Sequence, residues 1–134
     1  MRTLVRLFLA SAVLCLCITA HAAGDGYDVF VPISKYLAKG DAESLSAWFA
    51  DNLEITIMSN TTDSSKNQAK QILKSFFGTH TPRSFEINHT ASRSNSKYAL
   101  GYLNARGELF EVTIFVSKCK DSYRIQQLKI DRIR

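Results

Sequence analysis

"GDAESLSAWFADNLEITIM", Gly40 to Met58, contains the change of period on which the fold turns. Its first half places Ala42, Leu45, Trp48 and Phe49 on one helical stripe behind Asp41, whose side chain can accept from the free N–H groups of a first turn. Its second half alternates. Leu53, Ile55 and Ile57 fall on one side and Glu54, Thr56 and Met58 on the other, the pattern of a strand with one buried face. A short capped helix therefore runs into a strand.

Upstream, Asp28 caps a helix that carries Ile33, Tyr36 and Leu37 on one face and stops at Gly40. Pro32 falls in its first turn, where N–H groups are unpaired anyway. Downstream, "SNTTDSS" (Ser59 to Ser65) reads as a loop, and Ser65 with Gln68 makes a capping box for a third helix. Ala69, Ile72, Leu73, Phe76 and Phe77 form its apolar face, Gly78 ends it, and Pro82 lies just beyond.

The remainder alternates as four strands, Ser84 to Ser92, Lys97 to Asn104, Glu108 to Lys118 and Tyr123 to Asp131, joined by short turns as an antiparallel meander. Along the last strand Tyr123 and Ile125 share a phase, whereas Leu128 and Ile130 take the opposite one. A β-bulge at Gln126-Gln127 restores it. The expected class is α+β, three helices on a curved antiparallel sheet in the order α-α-β-α-β-β-β-β.

The N-terminal residues stand apart from this pattern. Arg2 and Arg6 precede an apolar run from Leu7 to Ile18 and then Ala20-His21-Ala22, the pattern of a signal peptide over residues 1–22. The run is shorter than the ~20 residues that span a bilayer. The expectation is an exported protein, periplasmic or secreted, with one domain over residues 23–134 and no membrane association after cleavage. Cleavage lowers the formal charge from +5 to +3 by removing Arg2 and Arg6, too little and too dispersed for nucleic acid. It also removes Cys15 and Cys17 and leaves Cys119 alone between Lys118 and Lys120, a thiol able to pair between chains. One cysteine without a spaced Cys or His offers no zinc site, and no cofactor motif is present.

The segments "GDAESLSAWFADNLEITI", "SKNQAKQILKSFF", "SFEINHT", "YALGYL" and "YRIQQLKI" resemble a bacterial family of exported domains of unknown function, number 4783. Through it they resemble the nuclear-transport-factor-like cone, also called ketosteroid-isomerase-like or cystatin-like. The resemblance implies a long helix across a bent sheet enclosing a cavity. It carries over no catalytic residue, because the acid and phenol of the steroid isomerases find no matching positions.

Within such a cone the candidate site residues are His89, Tyr36, Trp48, Tyr102 and Phe110. In "SFEINHT", Phe85, Ile87 and His89 share a strand phase, so His89 is expected in line with the core, where it could hold a ligand or act as an acid/base. The aromatic residues would line a pocket for a small apolar or aromatic molecule. The leading expectation is a non-catalytic ligand-binding protein. The alternatives are an isomerase, dehydratase or hydrolase with His89 as acid/base, and an interaction module. For the last, the opposite phase of the fourth strand, Leu109, Glu111, Thr113, Phe115 and Ser117, offers an outer sheet face compatible with a homodimer.

Overall fold

The computed structural model describes residues 28–133, so residues 1–22, expected as a signal peptide, lie outside the described residues. Helix α1 (Phe30–Lys39) ends at Gly40, whose φ of 68° supplies the left-handed C-cap. Asp28 stands just outside its first turn and accepts from the Phe30 N–H at 2.9 Å. Asp41 then accepts from the Ser44 N–H at 3.0 Å and starts α2 (Ala42–Ser46). These bonds to the ionised form hold the Asp41 carboxyl below its ordinary pKa.

Helix α2 is shorter than its apolar stripe suggested. It stops at Ser46, Trp48 sits in the following turn, and Phe49 already belongs to strand β1 (Phe49–Ile57). The switch is fixed by β6 (Ser122–Arg132): the Ile125 N–H donates to the Trp48 carbonyl at 2.7 Å, and Arg124 donates to the Ala47 carbonyl. Pairing from a distant strand outweighs one more turn of local helix.

The segment expected as a loop is a strand. Met58 and Ser59, at φ of 48° and 74°, form a two-residue turn with both residues left-handed. It returns the chain as β2 (Asn60–Ser65), paired antiparallel with β1 from Ile57↔Asn60 to Asn52↔Ser65. The turn is tied down by the Met58 N–H, which donates to the Ile130 carbonyl at 2.8 Å, and by the Ser59 N–H, which donates to the Asp131 carboxylate at 2.9 Å.

Ser65 accepts from the Gln68 N–H at 3.2 Å and opens α3 (Lys66–Thr79) as expected. Gly78 does not end this helix. It continues to Thr79, with His80 as C-cap. The strands β3 (Pro82–Ser92), β4 (Ser96–Ala105), β5 (Glu108–Cys119) and β6 follow as a meander, and the order of elements is α-α-β-β-α-β-β-β-β.

All six strands form one sheet in the order β2-β1-β6-β5-β4-β3. The sheet is mixed, not wholly antiparallel, because β1 runs parallel to β6. The expected bulge is present: Phe115 pairs with Gln127 and Val116 with Ile125, leaving Gln126 as the extra residue. On β4, Gly101 lets two strands approach closely. A Cβ there would collide with the Glu86 carbonyl and stand 2.7 Å from the Phe85 ring. α1 packs on β3, α3 on β1, and α2 on α3, so the three helices cover one sheet face.

Candidate functional site

Alternation along each strand gives this sheet two faces with different fates. On the inner face Leu103, Phe110, Val112, Ile114, Val116, Ile125, Leu128 and Ile130 meet Ile33, Leu37, Leu45, Leu73 and Phe76 from the helices, all of them buried. Phe110 is 0% exposed. Its ring meets Phe76 edge to face at 5.3 Å and His80 at 5.5 Å between centroids. His80 in turn lies flat on Phe76 at 4.7 Å. Among the described residues, Phe110, Phe76 and His80 fill this part of the interior.

The five sequence candidates do not converge. Phe110 is inside the core. Tyr36 and Trp48 are half-buried and pack against it from the helical layer. Tyr102 is on the outer face, between Glu86 and Glu111 on the neighbouring strands. His89 is also outside, contrary to the phase expected for it. A bulge at Asn88 lies between Ile87↔Gly101 and His89↔Leu100, and it turns every later side chain of β3 over. His89 is exposed, and its ring stands edge-on to Tyr98 at 6.4 Å. The polar run from Asn88 to Ser92 has no apolar alternation that would have fixed the phase. His80 is a half-buried member of the aromatic stack.

The outer face is uncovered among the described residues, and the pairing registers align its side chains in rows across all six strands. One row runs Asp63, Glu54, Gln127, Phe115, Tyr98, Ala91. The next runs Thr61, Thr56, Lys129, Thr113, Leu100, His89. Neighbours in a row are ~4.8 Å apart in the hydrogen-bonding direction.

Clefts follow these rows. The largest of this group, about 570 Å³, is lined by Asn52, Leu53, Glu54, Asp63, Phe115, Gln126 and Gln127. A second of about 440 Å³ lies between the β3–β4 turn, Tyr98 and Phe115. A third of about 300 Å³ is bounded by Glu54, Thr56, Thr113, Gln127 and Lys129. Phe115 is common to the first two, and Glu54 and Gln127 to the first and third.

The face has two chemical halves. On β4 and β5 stand Tyr98, Leu100, Tyr102, Leu109 and Phe115, interrupted by Glu111 and Thr113, with Leu109 49% exposed. On β2, β1 and β6 stand carboxylates, amides, threonines and Lys129. Thr56 and Thr61 bond hydroxyl to hydroxyl at 2.9 Å. The ion pairs among the described residues, Lys70–Glu43, Lys129–Asp131 and Arg132–Glu108, leave out Glu54 and Asp63. Cys119, at the end of β5, is exposed and accepts from the Gln126 amide at 3.4 Å. Among the described residues no group of three His, Cys, Asp or Glu side chains is placed to hold a metal ion, and no helix is long and apolar enough to cross a membrane.

A family model described as a domain of unknown function, DUF4783, matches residues 30–131. No curated protein matches the chain by sequence. A DUF4783 family protein from Bacteroides uniformis has 26% sequence identity and a TM-score of 0.77 over 80% of this chain and 99% of its own. One from Bacteroides ovatus has 25% identity and a TM-score of 0.75, over 78% of this chain and 94% of its own. A structure described as a dehydratase candidate of the NTF2-like family, from Streptomyces avermitilis, shares the fold at 8% identity. Its TM-score is 0.59, over 87% of this chain and 96% of its own.

Proposed function

We propose, from the premise that the chain belongs to the DUF4783 family, that it is an exported, non-catalytic binding module whose recognition surface is the outer face of its sheet. The observation that carries this reading is the contrast between the two faces. Phe110, at 0% exposure, occupies the place a cone ligand would need, whereas the clefts open outward along Phe115 and Gln127. A ligand pocket needs concavity with a few polar groups converging on it. Here those features lie outside. His89 supports catalysis less well, because its exposed ring meets a tyrosine ring edge-on.

The test is chemical-shift mapping on the isotope-labelled protein with a library of small aromatic and hydroxylated fragments. Shifts confined to outer-row residues such as Glu54, Thr113, Phe115 and Gln127 support the reading. Shifts centred on Phe110, Tyr36 and Trp48 would return the site to the cone.

A second reading is favoured by Leu109, 49% exposed on the same outer face as Tyr98, Leu100 and Tyr102. Tyr98, Leu100, Tyr102 and Leu109 would then receive a second copy of the chain, leaving the polar half of the face free. Sedimentation of the protein and of Leu109→Glu tests it. A dimer that the variant converts to monomer supports it, and a monomer at high concentration removes it.

A further inference from the structure

The polar half of the outer face has a donor and acceptor pattern specific enough to name a ligand class. Asp63, Glu54, Gln127 and Phe115 are successive members of one row on four adjacent strands. The bulge adds to them. Because two residues of β6 oppose one on β5, Gln126 and Gln127 both border the cleft that Phe115 closes. Asn52 and Leu53 complete the lining. A bulge that re-aims a side chain is a recurrent feature of binding sites.

Each ligand class meets this lining differently. An anion is repelled by Glu54 and Asp63. An apolar molecule would strip water from two carboxylates without replacing it. A cation would satisfy the carboxylates and the amide carbonyls but offer no acceptor to the amide N–H groups of Asn52 and Gln127. A neutral polyhydroxylated ring suits all of them. Each hydroxyl both donates and accepts, so it can donate to a carboxylate and accept from an amide. Its C–H face can lie on Phe115.

The placement of the two carboxylates points the same way. Glu54 and Asp63 are directly opposite on paired strands, where like charges are unfavourable, and among the described residues no ion pair relieves either one. Hydroxyl donors would offset that repulsion.

We infer that the cleft at the Gln126 bulge is a binding site for a neutral saccharide. This rests on the outer-face reading above and adds the chemical class. The experiment titrates the labelled protein with methyl β-glucoside, N-acetylglucosamine, cellobiose and maltotriose, each to about 10 mM. Lysinamide and argininamide are the cationic counter-probes.

At least one saccharide is expected to shift the Asn52, Glu54, Gln126 and Gln127 signals. Gln127→Ala and Phe115→Ala are each expected to weaken it about tenfold, the effect of losing one good hydrogen bond or ring contact. Tyr36→Phe is expected to leave it unchanged. The spectra of the variants report whether they remain folded. The inference is overturned if no saccharide moves these signals, or if only the cationic amides do. Outer-face shifts with the fragment library but none with saccharides would keep the binding surface and discard the ligand class.

Discussion

One sheet, read on its two sides, gives two different proteins. Val112 and Thr113 are consecutive residues of the same strand, yet one is sealed against the helices and the other stands in a row open to solvent. The inner side is closed by apolar side chains from three helices and four strands. The outer side keeps rings, amides and carboxylates in register across all six strands. The contrast gives the interior of the cone to stability, and the proposed recognition surface is the exterior. The difference is a matter of which face the large residues occupy, not of topology.

The widest separation between the faces is expected from two phenylalanines of β5. Phe110→Ala removes a fully buried ring and should cost about 3–5 kcal/mol in denaturant unfolding. Phe115→Ala should cost about 1 kcal/mol or less, since its ring is only half-buried. Equal losses would break the distinction between closed and open faces.

Next in size is Gly101→Ala, on the inner phase of β4. Its added methyl meets the Glu86 carbonyl and the Phe85 ring, and relief requires the β3–β4 pair to separate. A loss of about 1–3 kcal/mol is expected, measured by thermal unfolding. An unchanged midpoint would mean that the close approach at this edge is not needed.

Asp41→Ala tests the helical layer that closes the inner face. A loss of about 1 kcal/mol is expected near neutral pH. The sign of its pH dependence follows from the lowered pKa of Asp41. The cap's contribution is complete above the ordinary aspartate range and disappears as pH falls through the lower folded value. The difference between wild type and variant should therefore shrink in acid. A difference that grows in acid would contradict the cap.

The smallest effect has the opposite sign. Asp63→Asn removes one of two like charges facing each other on β1 and β2, and should raise stability by about 0.2–1 kcal/mol. A loss of stability instead would show that the carboxylate has a structural task, and would weaken its assignment to a ligand.

Much of the fold is legible in the residues themselves. The caps at Asp41 and Ser65, the stop at Gly40 and the bulge at Gln126 all follow from local chemistry, and each is present. The misreadings share a cause. Strand β2 has no apolar alternation and turns through Met58-Ser59, without the glycine or asparagine that usually marks such a turn. Only its partner β1 makes it a strand. The early end of α2 is likewise decided by β6, 77 residues away in the Arg124–Ala47 bond.

The candidate site was less legible for the same reason. One extra residue at Asn88 moves His89 from the expected inner face to the outer one, and no local pattern announces it. The row from Asp63 to Ala91 exists only because five separate registers align, information that resides in pairing and not in any one strand.

The most direct measurement of the contrast between the faces is diffraction from a crystal of the protein pressurised with xenon, which enters dry apolar cavities large enough to hold it. The expected result is no xenon between α3 and the inner face, because Phe110, Leu103 and Phe76 fill that space. Xenon bound beside Phe110 would reveal an open cone, and recognition would then have to be sought inside the fold.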